Sequence, residues 1–239
     1  MRMNGKKDGV LMVCYACLLV IGGLLTWLKY DYNAVKMEDV REACGYVSAS
    51  ATPVEAPKIA LTFDDGPSAA WTPALLDGLK ERGVKATFFL IGENADKNPE
   101  IVKRMAEEGH LIGNHTYHHV ELTKVTEKEA RSELADTSAA IVRITGKEPE
   151  YMRPPFGAWQ RKLEQEIRML PVLWTIDPLD WTTENQDEIV NKVVTEAEEN
   201  DIILLHDCYK SSVEAGLRIV DILQEEGFVF VTVDELLLN

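Results

Sequence analysis

The sequence predicts an α/β fold on a parallel sheet, preceded by one membrane-spanning helix. Strand-like and helix-like segments alternate about seven times over roughly 180 residues, the pattern of βα units. Polar clusters follow the ends of apolar strands, where parallel α/β folds collect functional side chains. Near the N-terminus stands a run of 19 residues without a charge.

That run, Val10 to Leu28, would reach about 28 Å as a helix, close to the hydrocarbon thickness of a bilayer. Arg2, Lys6 and Lys7 precede it, with Asp8 the one acid there, and Trp27 and Tyr30 fit an interfacial belt. The positive-inside rule then leaves residues 1–9 cytoplasmic and residues 29–239 outside. A cleaved signal peptide would want a shorter apolar core and a small-x-small site. Gly22-Gly23 runs instead into Leu24, Leu25, Thr26 and Trp27, so an uncleaved signal anchor over 10–28 is the better reading. Residues 29–57 lack sustained periodicity and end in small residues with Pro53 and Pro57, which suits a stalk.

Residues 58–239 carry the alternation. Strands are predicted at Lys58–Phe63, Ala86–Ile91, Leu111–Gly113, Val172–Ile176, Ile202–Leu205 and Phe228–Val231, and Met152 follows a turn. Helices are predicted over Thr72–Arg82, Pro99–Glu108, Thr126–Thr145, Trp159–Leu170, Asn185–Glu199, Val213–Glu226 and Asp234–Leu238. Residue patterns do not choose between a closed barrel and an open sheet, but the domain is too short for eight full units, which need about 250 residues.

The formal net charge is −15, and residues 1–57 hold six charges of each sign, so the whole imbalance falls on the C-terminal domain. An acidic surface repels phosphate backbones and excludes nucleic acid as a natural partner. Cys14 and Cys17 sit inside the apolar run. Cys44 and Cys208 lie in a compartment that permits a disulfide, and sequence leaves their pairing open.

Five clusters carry chemistry. Thr62-Phe63-Asp64-Asp65-Gly66-Pro67 sets two adjacent carboxylates after the first strand, where a cation or base would relieve their repulsion; a solvated Asp-Gly turn is the bland alternative. His115-Thr116-Tyr117-His118-His119 offers His115 and His119 four apart, a spacing metal sites use, with His118 able to replace either. No Glu stands between them in the HExxH manner, which disfavours a thermolysin-like protease. Arg153-Pro154-Pro155-Phe156-Gly157 can hold an Arg for bidentate pairing and aim a backbone N–H. Asp177-Pro178-Leu179-Asp180-Trp181 and Leu204-Leu205-His206-Asp207 each end a strand, and a nearby carboxylate would keep His206 protonated for acid work.

In this order the clusters resemble the five signatures of the polysaccharide deacetylases, carbohydrate esterase family 4: TFDDGP, HTYHH, RPPFG, DPLDW and LLHD. The resemblance covers about Lys58–Asn239. It implies a distorted (β/α) barrel of fewer than eight units, and zinc, with cobalt or another divalent ion able to substitute, on Asp65, His115 and His119. It further implies Asp64 as general base oriented by Arg153, and His206 as acid supported by Asp180 in preference to Asp177. The backbone N–H of Phe156 would stabilise an oxyanion, and Trp181 and Leu204 would wall the acetyl pocket. Phe156 stands where many members have Tyr, and Val120 where a proline is common. The implied substrate is an extracellular N-acetylated glycan, with peptidoglycan N-acetylglucosamine first because the anchor places the enzyme beside a wall. N-acetylmuramic acid, chitooligosaccharide or acetylated xylan are the enzymatic alternatives, and a wall-binding pseudoenzyme the non-enzymatic one.

Overall fold

The computed structural model describes residues 55–159 and 167–238. The expected anchor over 10–28, the stalk up to residue 54 and Cys44 lie outside these residues, as does most of the expected helix Trp159–Leu170. No helix among the described residues is long and apolar enough to cross a membrane. The chain divides into Met1–Glu55 and Ala56–Asn239, and the sheet and its helices belong to the second unit.

Seven strands make one parallel sheet: β1 Lys58–Asp64, β2 Thr87–Leu90, β3 Leu111–Asn114, β4 Tyr151–Met152, β5 Leu170–Pro171, β6 Ile202–His206 and β7 Val229–Val231. Their order is β5-β4-β3-β2-β1-β6. Ala60 of β1 pairs with Ile202 on one side and Val231 on the other, so β7 borders the first half of the β1 edge that β2 borders further on. The helices are α1 Thr72–Glu81, α2 Gly92–Lys97, α3 Pro99–Glu107, α4 Glu127–Thr145, α5 Gln186–Glu196, α6 Lys210–Glu225 and α7 Val233–Leu237.

Strand periodicity sorts the side chains. Ile59, Leu61 and Phe63 of β1, Phe88 and Leu90 of β2, and Ile203 and Leu205 of β6 join one core with Leu75, Leu76 and Leu79 of α1 and Ile219, Val220 and Leu223 of α6. Ala60, Phe89, Tyr151, Val172 and Ile202 form a second, smaller core inside the curl of the sheet with Val233 of α7. Alternate positions on β1 and β6 therefore send Thr62, Asp64, Leu204 and His206 inward.

The structure departs from the expected elements in two places. The strand expected at Val172–Ile176 is not a continuous strand. Leu170–Pro171 pairs with β4, Val172 donates its N–H to Met152 O, and Ile176 bridges Ile203 of β6. The segment therefore spans from one end of the sheet to the other, and the sheet curls into a distorted half-barrel. Leu170, expected as the end of a helix, pairs with Tyr151 instead. Helix α2 was not expected at all. Its six residues, GENADK, are too few and too polar to show a helical period.

Candidate active site and metal centre

Register builds the site. Asp64 stands level with His206 and with Phe89, Phe89 with Gly113, and Asn114 with Met152. The residues at or just past these positions, Asp64, Asp65, His115, Arg153 and His206, thus form one layer at the carboxyl ends of the strands. All but Arg153 open into a cleft of about 470 Å³ lined by Asp64, Asp65, His115, His119, Phe156, Trp174, Asp177, Trp181, Leu204, His206 and Tyr209.

One ligand atom each from Asp65, His115 and His119 lies within 4.8 Å of the others. Asp65 Oδ1 is 3.4 Å from His115 Nε2 and 3.3 Å from His119 Nε2. This oxygen is buried and has no hydrogen-bond partner, an arrangement that costs free energy unless a cation supplies the missing interaction. His115 donates its Nδ1–H to Arg153 O at 2.6 Å, which fixes the tautomer and leaves the Nε2 lone pair facing Asp65. Burial lowers the His119 pKa and so favours its neutral form. One carboxylate and two neutral imidazoles suit a zinc-like divalent cation. His118 lies outside this set. It is exposed, its Nδ1 is 2.8 Å from Glu133 Oε1, and Glu133 Oε2 accepts the N–H groups of Tyr117 and His118.

Arg153 is the hub beneath the cleft. Fully buried, it donates through Nη1 to Asp64 Oδ1 at 2.8 Å and Thr62 Oγ1 at 2.7 Å, and through Nε and Nη2 to Val172 O and Leu173 O at 3.2 Å. Its guanidinium also lies 4.2 Å over the Phe89 ring. Desolvation lowers its pKa, while Asp64 opposes that loss. Asp64 Oδ2, the oxygen Arg153 leaves free, is 3.8 Å from His115 Nε2.

On the opposite wall, buried Asp180 accepts both the Nδ1–H and the backbone N–H of His206 at 2.8 Å. Burial pulls His206 down, but the bond and charge of Asp180, with Asp64 and Asp65 adding, push it up to about 9. Asp177, the other candidate in that cluster, caps a turn by accepting Leu179 N–H at 2.9 Å. Trp181 and Phe156 are exposed at the mouth, and Leu204 is buried in the wall. The Phe156 ring stands edge-on to His119 at 4.8 Å.

The loops are held in uncommon conformations. Asp65, Thr116, His119, Phe156 and Leu179 all have φ between 55° and 71°, a left-handed backbone that costs a non-glycine residue about 1 kcal/mol or more. Five such residues in four signature loops mark a geometry imposed by its surroundings. Sequence reasoning missed Trp174, hidden inside an expected strand, and Tyr209, whose position after His206-Asp207-Cys208 was the available signal. It also missed the buried support from Thr72, whose hydroxyl donates to Asp207 at 2.5 Å. Burial raises the Asp207 carboxyl to about 7 and the half-buried Cys208 thiol to about 12.

The family model for polysaccharide deacetylase matches residues 51–173. A peptidoglycan-N-acetylglucosamine deacetylase of Bacillus cereus is 43% identical over 194 residues, 78% of this chain and 70% of the relative. The peptidoglycan-N-acetylglucosamine deacetylase PgdA of Listeria monocytogenes is 39% identical over 84% of this chain, but the match spans only 45% of that longer protein. PdaC of Bacillus subtilis, a peptidoglycan-N-acetylmuramic acid deacetylase, is 40% identical over 178 residues, 74% of this chain and 38% of that relative. The solved structure of peptidoglycan deacetylase PdaC superposes with a TM-score of 0.75, covering 76% of this chain and 90% of that one.

Proposed function

The chain belongs to the polysaccharide deacetylase family, and from that premise we propose a metal-dependent hydrolase that removes N-acetyl groups from peptidoglycan N-acetylglucosamine. One observation carries the reading. Asp65, His115 and His119 converge around a partnerless carboxylate oxygen, with Asp64 and His206 in the same cleft.

Asp65, His115 and His119 would hold the cation, zinc for preference with cobalt or another divalent ion able to replace it. When bound, such an ion supplies Lewis acidity, polarising a carbonyl and making nearby water more acidic. Arg153 pins one oxygen of Asp64 and leaves Oδ2 to take a proton from water as its oxygen adds to the acetamide carbon. The Phe156 backbone N–H stabilises the oxygen as it gains charge, a contribution of roughly 3 kcal/mol for a well-placed donor. His206 has Nδ1 engaged by Asp180, so its Nε2–H is the proton given to the departing nitrogen as the C–N bond breaks and acetate forms. Leu204 and Trp181 wall the space for the methyl group.

Similarity to the Bacillus and Listeria N-acetylglucosamine deacetylases supports peptidoglycan as substrate, and similarity to PdaC supports N-acetylmuramic acid as the second choice. The uncharged run at 10–28, preceded by basic residues, supports a single-pass anchor with the catalytic domain outside. Acetate release from purified peptidoglycan, with and without chelator, tests the activity; defined muropeptides, chitotetraose and acetylated xylan rank the substrates. Zinc-loaded protein that releases no acetate from any N-acetylated glycan would overturn the reading and leave a wall-binding pseudoenzyme.

A further inference from the structure

Helix α2 joins the two loops that carry the metal-ligand set. Toward the first, Asn94 Nδ2 donates to Asp65 O at 2.8 Å and Ile91 N–H donates to Gly66 O at 3.1 Å. Toward the second, Gly92 N–H donates to Thr116 O at 3.0 Å and Glu93 N–H donates to Tyr117 O at 3.1 Å. The docking is close. A Cβ at Gly92 would overlap the Tyr117 ring and fall 2.8 Å from Thr137 Oγ1.

Asp65 needs such a hold. Its φ of 71° lies in the region that an L side chain rarely adopts, and in that conformation its Oδ1 lies 3.4 and 3.3 Å from the Nε2 atoms of His115 and His119. Of the four bonds, that from Asn94 is made by a side chain, and it falls on the carbonyl of the ligand residue itself. We propose that Asn94 is a positioning residue for the metal centre, its amide locking Asp65 in the left-handed conformation that aims the carboxylate at His115 and His119. Outer groups that orient ligands act in this way on metal affinity without touching the ion. The inference rests on the reading of Asp65, His115 and His119 as cation ligands.

The test uses the full chain with zinc(II) or cobalt(II) alone as probe. Asn94→Asp keeps the size of the side chain but replaces the donor with a carboxylate; Asn94→Ala removes it. Asn98→Ala is the control, because Asn98 Nδ2 binds the same neighbourhood through Pro67 O at 3.4 Å and Asn94 O at 3.0 Å without reaching a ligand residue. Both Asn94 variants are expected to bind the ions about 10- to 100-fold more weakly, with an altered cobalt absorption spectrum. Asn98→Ala is expected to bind at wild-type affinity even where its melting temperature falls as far. Wild-type affinity and spectrum in the Asn94 variants would overturn the inference and leave the metal site intact. So would an equal loss in Asn98→Ala, which would mark general loosening. Wild-type protein that binds neither ion would instead remove the metal-site reading, and this inference with it.

Discussion

Replacing Asp180 with Asn removes one charge from beneath His206 while keeping the side chain's size. Burial alone would draw the His206 imidazole below its ordinary 6.5; the hydrogen bond and charge of Asp180 are the largest effects raising it, to about 9. That rise corresponds to roughly 3 kcal/mol favouring the imidazolium. Because the folded value lies above the unfolded one, this stabilisation is complete below about pH 6.5 and is lost as pH climbs through about 9. If the variant's imidazole returns to 6.5, its acid form at pH 8 falls from about nine-tenths to about three-hundredths, a loss of about 30-fold in a reaction that needs the proton. A cation on Asp65 removes that carboxylate's share from both proteins, so the displacement between them survives. The assay is kcat/KM for acetate release from about pH 5 to about pH 10. The alkaline limb should move to 6.5 or lower in the variant. An unmoved limb would refute the assignment of His206, oriented by Asp180, as the acid.

The same geometry fixes other outcomes. Asp64→Asn should keep the bound cation and lose turnover, whereas His119→Ala should lose both; metal content measured beside acetate release separates them. His118→Ala should retain metal and activity, because that ring pairs with Glu133 rather than facing the cleft, and the same two assays check it. Arg153→Met should destabilise the fold by about 3–5 kcal/mol in denaturant titration, since it strands Asp64 as a buried, unpaired carboxylate. Gly66→Ala should weaken metal binding in a zinc titration, because its Cβ would overlap the Asp207 carboxyl and displace the turn after Asp65.

What could be read from the sequence was what local pattern encodes. Alternation placed β1, β2, β3 and β6 to within a residue or two, and the apolar stripe of α4 ran the length that its Thr126 cap and Gly146 stop enclose. The five polar clusters were legible because register carries each strand end into the same layer. Elements that owe their form to distant partners were not. Helix α2 is held by hydrogen bonds to the Asp65 and Thr116 loops, and the Leu170–Ile176 segment by β4 at one end and β6 at the other. Neither leaves a periodic trace. The choice between His118 and its neighbours turned on Glu133, fifteen residues away on another element. Asp180 and Asp177 share one cluster, and what separates them is which carboxylate folds under His206 and which caps a turn.

The central claim is spatial, and anomalous diffraction at the zinc edge from crystals of the zinc-loaded protein tests it most directly. One peak should appear about 2.0–2.2 Å from a carboxylate oxygen of Asp65 and the Nε2 atoms of His115 and His119. A peak at other residues, or none at full zinc loading, would contradict the account.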